Sequence, residues 1–454
     1  VSQIDTSDSS VEISANSVLW LDLNQPIARK PGSGGLLGQD TGPVLLDFVA
    51  ALERARGDDR IKGVVAEIGT LPLGMAETQE LRYAIQTFRE SGKFTAIYAE
   101  DFGGMGNGTT PYYLAAAFEE IWLQPSGAVG LTGMALEIPY FRDALEKLDI
   151  VPRFEQRHEY KGGADPFTES LMTGPARESL QGLVNGWLTQ VVVGIEDSRS
   201  ALAGRLQALV DSGPHLGAQA MELGLVDRLG YWDEFIDAIE EKAGEQFEWI
   251  SVARYAAAIA GRADDSASGE KGRVALVYGV GVIEPNGGDD ALIDEGSFAP
   301  YRVAETLAEI REEGGYDAVL LRVDSPGGAY AQSVMVWREV HLLREAGIPV
   351  VVTMGDIAAS GGYFVAMAAD RVIAQPGALT GSIGVYSGKF VTEALWTRMG
   401  VNWERVQAGR NAGLWSMIRD FTPAELAKFR QSVDFVYADF TQKAARDRNL
   451  DDAG

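Results

Sequence analysis

A single serine stands where an apolar strand gives way to a helix of small residues, in the stretch Asp356-Ile-Ala-Ala-Ser-Gly-Gly-Tyr363. Ser360 could simply cap that helix, but a serine at such a turn can also present its hydroxyl to a substrate as a nucleophile. Upstream, Asp324-Ser-Pro-Gly-Gly328 ends a second apolar strand, and its glycine pair can leave N–H groups free to face a reacting oxygen. The two motifs predict a nucleophile and an oxyanion site, but neither contains a base.

Histidine is a poor candidate for that base. The chain has three histidines. His341 lies inside a helical run, His215 follows a Gly-Pro turn, and His158 lies in a polar strand-like segment without a predictable acidic partner. A Ser-His-Asp triad is therefore not favoured, and lysine becomes the leading alternative.

The composition predicts a two-domain globular α/β protein, with 454 residues, 46% hydrophobic side chains and 53 glycines. A net charge of −26 argues against nucleic acid as a partner and against electrostatic docking on anionic lipid. Without cysteines, clustered histidines or a P-loop motif, we expect no metal or nucleotide cofactor. The chain begins with Val1, which suggests that an N-terminal piece was removed. No apolar run is long enough to span a bilayer, so we expect any membrane anchor to be absent from this chain.

The chain contains two copies of one sequence pattern. Residues 48–55 and 64–68 match residues 303–310 and 319–323 at an offset of 255, and residues 112–125 match 363–376 at an offset of 251. Each copy alternates apolar strands with helices of 3.6-residue periodicity, which predicts parallel sheets. We place copy 1 at residues 17–245 and copy 2 at 273–454, joined by a linker region at 246–272 with a polar stretch at 262–272. The closing segments of copy 1 have no counterpart in copy 2, so we expect roughly 50 further residues after its end.

The two copies lack complementary chemical groups. Ser360 aligns with Thr109, and Gly327-Gly328 align with Pro72-Leu73, so copy 1 lacks the nucleophile and the glycine pair. In the other direction, an offset of 250 places Lys161 over Asn411, so copy 2 lacks the lysine. The simplest hypothesis is one site assembled from both copies.

These residues resemble the long, tandem-domain form of the bacterial signal peptide peptidase (protease IV) family of Ser-Lys peptidases. The resemblance covers both copies, and its specific parts are the two motifs above together with residues 160–167 and 375–384. It implies that Ser360 is the nucleophile, that Lys161 is the general base and that Ser382 hydrogen-bonds the lysine amine, with Thr380 as a nearby alternative. It further implies two tandem crotonase/Clp-protease-like α/β domains, with oxyanion N–H groups from Gly328 and Gly361.

The resemblance also sets expectations about substrate and location. It implies cleavage of leftover signal peptides and other apolar peptides, a homotetrameric ring, and a place on the periplasmic side of the bacterial inner membrane. Physical chemistry adds one condition, because a lysine acts as a base near neutral pH only if burial or a neighbouring cation lowers its pKa. Two other functions fit the same scaffold: a crotonase-type enzyme acting on acyl-CoA thioesters, and a non-catalytic scaffold.

Overall fold

The computed structural model describes residues 13–32, 44–69, 73–103, 106–244, 246–260, 272–286 and 297–450. The polar stretch predicted as a linker, apart from Gly272, and Pro72 of the copy 1 counterpart to the glycine pair lie outside these ranges.

Copy 1 is built around a six-stranded parallel sheet in the order β8-β4-β3-β2-β1-β9. These strands are β1 (Ser17–Asp22), β2 (Ile61–Glu67), β3 (Phe94–Ala99), β4 (Glu120–Leu123), β8 (Arg228–Leu229) and β9 (Glu248–Ser251). Continuous apolar runs such as residues 18–21 of β1 fit a parallel sheet, because helices cover both of its faces. Strands β5 (Ala128–Val129) and β7 (His215–Leu216) form a short antiparallel pair. Strand β6 (Val151–Arg157) pairs with no strand of copy 1 among the described residues and instead contacts copy 2.

Ten helices are described in copy 1: α1 (Leu45–Arg56), α2 (Met75–Arg89), α3 (Thr109–Ala115), α4 (Arg142–Lys147), α5 (Asp165–Thr168), α6 (Gly174–Ser198), α7 (Leu206–Ser212), α8 (Gly217–Glu222), α9 (Trp232–Ala243) and α10 (Val252–Ala260). In α2, Leu81, Ile85 and Phe88 recur at helical spacing and are fully buried against the sheet. Strand β9 pairs with β1 and α10 packs on α1, so ordered structure belonging to copy 1 continues to residue 260.

Copy 2 repeats the design with a smaller parallel sheet in the order β10-β11-β12-β13, with β14 also pairing with β12. Its strands are β10 (Val274–Val280), β11 (Ala318–Ser325), β12 (Val350–Ala359), β13 (Arg371–Ile373), β14 (Leu379–Gly381) and β15 (Val385–Val391). Its helices are α11 (Pro300–Glu313), α12 (Tyr330–Glu345), α13 (Gly361–Ala366), α14 (Glu393–Arg398) and α15 (Pro423–Arg448). The predicted α/β class with two tandem parallel-sheet domains is confirmed.

The two copies meet along an antiparallel pairing of β6 with β15, which runs from Val151↔Val391 to Arg157↔Val385. A second junction places the N-terminus of α2 against β12. In the part of the chain that the structure describes, no helix is both long enough and apolar enough to cross a bilayer.

Candidate active site

Ser360 lies between the end of β12 and the start of α13. Its φ of +53° and ψ of −119° place a non-glycine residue at positive φ, where L side chains are strained. Such strain is held only where the surroundings impose it, and it concentrates at functional sites. Although Ser360 has the N-cap position of α13, its side chain makes no capping hydrogen bond. The hydroxyl is therefore not committed to the helix.

Lys161 follows β6, and its amine reaches across the junction into copy 2. Its Nζ lies 2.5 Å from the main-chain oxygen of Ser382 and 2.9 Å from the Ser382 Oγ. The residue is only 8% exposed, and this burial lowers the pKa of its amine to about 8. Gly384 makes room for the side chain, because a Cβ at that position would lie 3.1 Å from the Lys161 Cδ.

Both candidate catalytic residues contact the same short segment of copy 2. The Ser360 main-chain N–H donates to the carbonyl of Gly381 at 2.9 Å, and the next residue, Ser382, holds the lysine. The Thr380 hydroxyl instead donates to the main-chain oxygen of Ala358 at 3.0 Å. Of the two hydroxyls considered as lysine partners, the structure therefore brings that of Ser382 to Lys161.

The glycine pair lies against the first residue of α13. A Cβ on Gly327 would be 2.4 Å from the Gly361 nitrogen, and one on Gly361 would be 3.1 Å from the Gly328 nitrogen. Gly327 and Gly328 have φ values of +98° and +147°, which favour glycine. Ser325 Oγ accepts the Gly327 N–H at 3.2 Å, while the N–H groups of Gly328 and Gly361 have no hydrogen-bond partner among the described residues. Two adjacent free donors are what an oxyanion site requires.

A wide bulge in β12 precedes the serine by a few residues. In the pairing with β11, Val323 lies opposite Met354 and Ser325 opposite Ala358, so residues 355–357 all face the single residue Asp324. The Asp324 Oδ1 accepts the Ile357 N–H at 3.1 Å and stabilises the bulge. Bulges redirect side chains next to functional sites, and this one turns Asp356 toward copy 1.

Asp356 caps a helix that belongs to the other copy. Its carboxylate accepts N–H bonds from Gly74 at 3.0 Å, Ala76 at 2.9 Å and Glu77 at 3.2 Å, which are donors at the α2 N-terminus. An N-terminal helix end has unsatisfied N–H groups and a positive partial charge, so a carboxylate stabilises it. A Cβ on Gly74 would fall 2.1 Å from Asp356 Oδ2, so this contact requires glycine there.

Further charges surround this cap. Arg29 forms ion pairs with Glu77, Asp324 and Asp356 at 3.2 to 3.3 Å. Burial and the charge of Asp356 raise the pKa of Glu77 to about 8, against the opposing effect of Arg29. One turn further along α2, Glu80 receives two hydrogen bonds from Arg322 of β11, at 2.5 and 3.0 Å. These residues were missed in the sequence, where only the position of Asp356 within the serine motif could have drawn attention to it.

The equivalent site in copy 1 lacks the corresponding groups. Gly108, rather than Thr109, has the N-cap position of α3, and the buried Thr109 hydroxyl bonds to Gly133. The counterpart of Lys161 needs a correction. The hydrogen bond from Phe141 N to Pro166 O in copy 1 has an equivalent in copy 2, from Thr392 N to Met417 O, and each atom of the second bond lies 251 residues after its equivalent in the first. With this offset Lys161 aligns with Ala412 and not with Asn411. Copy 2 still lacks an amine at this position.

The histidines have structural contacts. The His215 Nε2 lies 2.7 Å from the Leu209 carbonyl, the His158 ring packs on Tyr437, and His341 lies 3.6 Å from Glu345. Among the described residues, no group of three or more His, Asp or Glu side chains could hold a metal ion.

Comparison with known proteins gives a family match in two segments. The profile of Peptidase family S49 matches residues 88–246 and 342–453, which together make up more than half of the chain. The chain is 29% identical over 403 residues to the chloroplastic serine protease SPPA of Arabidopsis thaliana, covering 87% of this chain and 58% of that protein. It is 28% identical over 462 residues to Protease 4 of Salmonella typhi, covering 95% of this chain and 71% of the relative.

The chain thus spans between about half and three quarters of the length of these relatives. Among solved structures, a membrane-bound stomatin-specific protease in complex with a substrate peptide is similar over 52% of this chain and 91% of its own, at 12% identity. The TM-score of this match is 0.27.

Proposed function

Because the chain belongs to peptidase family S49 and is a serine peptidase of that family, we propose that it is an endopeptidase with a Ser360–Lys161 dyad that degrades cleaved signal peptides and other apolar peptides. The observation that carries the proposal is the buried Lys161 amine, which crosses from copy 1 to hydrogen-bond Ser382 beside the carbonyl that holds the Ser360 main chain. No comparable observation favours a thioester enzyme or a scaffold.

The proposed reaction follows from the protonation state of the amine. With a pKa of about 8, roughly a tenth of Lys161 is neutral near pH 7, against about one part in 3,000 for a solvated lysine. The neutral amine removes the proton of the Ser360 hydroxyl as its oxygen attacks the scissile carbonyl. The N–H groups of Gly328 and Gly361 stabilise the oxyanion that forms. The lysine then protonates the leaving amine and later activates the water that hydrolyses the acyl-enzyme.

Substrate class, assembly and location are also part of the proposal. The net charge of −26 disfavours recognition through anionic headgroups and suits a site that holds its peptide by shape and apolar contact. By the family resemblance, we propose that the protein works as a homotetramer on the periplasmic side of the bacterial inner membrane.

The test compares variants on a synthetic signal peptide with an apolar core and on a polar peptide of equal length. Ser360→Ala and Lys161→Met should each abolish cleavage of the apolar peptide while circular dichroism remains unchanged. A fluorophosphonate probe should label the wild-type protein at Ser360 alone, as located by mass spectrometry.

Lys389 provides a matched control for the lysine. It is 5% exposed, burial lowers the pKa of its amine, and its Nζ bonds to the carbonyls of Leu414 and Ser416. Lys389→Met should therefore be as disruptive structurally as Lys161→Met, yet retain cleavage. Equal loss in both variants, or a Lys161→Met enzyme with near-normal rate, would remove Lys161 from the proposed mechanism.

A further inference from the structure

A short loop of copy 2 leads directly into the segment that contacts both proposed catalytic residues. Residues 374–378 connect β13 to β14, and β14 ends one residue before Ser382. Gly377 is buried although it lies in this loop. Strand β14 pairs with only three residues of β12. The loop before β14 therefore has a large part in setting where the segment lies.

Copy 1 holds this loop through three hydrogen bonds. From α2, the Gln79 Oε1 accepts the Gly377 N–H at 2.7 Å. From α6, the Trp187 Nε1–H donates to the Gly377 carbonyl at 2.9 Å, and the Gln190 amide donates to the Pro376 carbonyl at 3.2 Å. The Gln79 Nε2 in turn donates to the Gln190 Oε1 at 2.8 Å, which connects the two glutamines. Side chains of copy 1 thus satisfy both main-chain groups of Gly377.

The contact between Gln79 and Gly377 is closely packed. Gln79 is only 8% exposed. A Cβ on Gly377 would lie 2.5 Å from the Met75 Cγ and 2.8 Å from the Gln79 Oε1, so the approach requires glycine. A buried N–H without an acceptor is costly, so the Gly377 N–H is held in place by the oxygen of Gln79. A shift of this loop would move residues 379–382 with it.

The internal repeat shows that this contact is not part of the shared fold. Helices α2 and α12 begin 255 residues apart, and at this offset Gln79 aligns with Val334, which packs against the apolar core of copy 2. At the offset of 251, Gly377 aligns with Ser126. The counterpart positions therefore have neither the amide oxygen nor the glycine. The contact occurs only at the junction where the candidate site is complete.

We propose that Gln79 is a positioning residue for the peptidase reaction. Through the loop that it holds, it sets the positions of Gly381 and Ser382, which contact the serine and the lysine of the site. The inference rests on the proposed Ser360–Lys161 dyad. Gln79 contacts no reacting group, so its loss should misalign the dyad and lower kcat while leaving substrate binding nearly unchanged.

The test replaces Gln79 by methionine, which has a similar volume and helix propensity but cannot accept the Gly377 N–H. In Gln79→Met, kcat for the apolar peptide should fall about tenfold, and KM should stay within about twofold. Gly377→Ala disturbs the same contact from the loop and should lower kcat by a similar factor. Hydrogen exchange of residues 375–382, measured by mass spectrometry, should become faster in both variants, and this measurement does not depend on activity.

Gln86 provides a matched control in the same helix. Its Nε2 also donates to α6, at 2.9 Å from the Ser198 Oγ, but this contact lies wholly within copy 1. Gln86→Met should therefore keep kcat within about twofold of the wild-type value and leave the exchange of residues 375–382 unchanged.

A double variant tests whether Gln79 acts through the segment that contains Ser382. Ser382→Ala should by itself lower kcat about tenfold, and adding Gln79→Met should lower it by about threefold or less, because the contact being positioned is already lost. Effects that multiply to about a hundredfold, a loss confined to KM, or an equal loss in Gln86→Met would overturn the inference. Retained cleavage in Ser360→Ala or Lys161→Met would instead refute the proposed dyad, and that result needs no Gln79 variant.

Discussion

Replacing Lys161 by methionine should change how the stability of the protein depends on pH. The lysine amine is buried, and its folded-state pKa of about 8 lies below the ordinary value of 10.5. Between these two values the unfolded chain binds a proton that the folded chain has lost. The free energy of unfolding of the wild-type protein therefore rises with pH through this window because of Lys161. Methionine has a similar volume and no proton to bind, so the variant lacks this contribution.

The size of the effect follows from the two pKa values. Relative to the unfolded chain, the lowered pKa of Lys161 costs the folded state about 3 kcal/mol near pH 7 and about 1 kcal/mol near pH 10. The stability of Lys161→Met relative to the wild type should therefore fall by about 2 kcal/mol between these pH values. The variant also loses the two contacts with Ser382, but that loss shifts its stability similarly at both values and cancels from the comparison.

The measurement is urea unfolding of both proteins, followed by circular dichroism at several pH values between about 7 and 10. Titration of all other groups is shared, so the difference between the two curves isolates Lys161. A stability difference that stays constant across this range would show that the amine titrates as it does in solvent. That result would refute the argument that burial at the junction prepares the lysine to act as a base.

Three further outcomes follow from the site. Ser382→Ala removes the hydroxyl 2.9 Å from the lysine amine, so kcat for the apolar peptide should fall about tenfold with little change in KM. Asp356 lies four residues before Ser360 and caps α2 of the other copy, so Asp356→Ala should lower kcat about 10- to 100-fold. Glu80→Gln breaks a different contact at the same junction, so it should lower Tm but keep kcat within about twofold. Equal kcat in these two variants would mean that Asp356 only holds the copies together. Glu77→Gln should raise Tm near pH 7. The raised pKa of Glu77 makes the wild-type fold lose stability as pH rises from about 5 to 8, and glutamine has no proton to lose. A variant whose Tm depends on pH in the same way as that of the wild type would contradict this.

Periodicity and glycine motifs were sufficient to predict the parallel-sheet architecture, because strand and helix patterns are local in sequence. Two short motifs nominated Ser360 and the pair Gly327-Gly328, and the family resemblance singled out Gly328 and added Gly361. The structure brings these residues together. The contact of Lys161 with Ser382 spans more than two hundred residues. Only the internal repeat and the family resemblance linked the lysine to the serine motif. The pairing of β6 with β15 joins strands that are distant in sequence, so a pattern of neighbouring residues cannot predict it.

The charged junction could not be predicted for a different reason. The carboxylate of Asp356 is drawn to the other copy by a bulge that exists only because β12 has two more residues than β11 between their paired positions. Register shifts of this kind depend on the pairing of distant strands and leave no trace in hydrophobic periodicity. The offset error at Lys161 has the same origin, because a one-residue shift between the copies became visible only through matching hydrogen bonds.

The proposed site, divided between the two copies, gives a reason for the many buried polar groups at their junction. Lys161 follows β6, and the pairing of β6 with β15 sets the position of the lysine relative to copy 2. Strand β12, which precedes Ser360, is bound to copy 1 through Asp356, which caps α2. A purely apolar junction would tolerate small shifts between the copies, whereas directional hydrogen bonds fix one alignment. A displacement of about 1 Å between a nucleophile and its base can cost about a hundredfold in rate. The polar junction therefore makes the relative position of the two copies a determinant of the proposed chemistry as well as of stability.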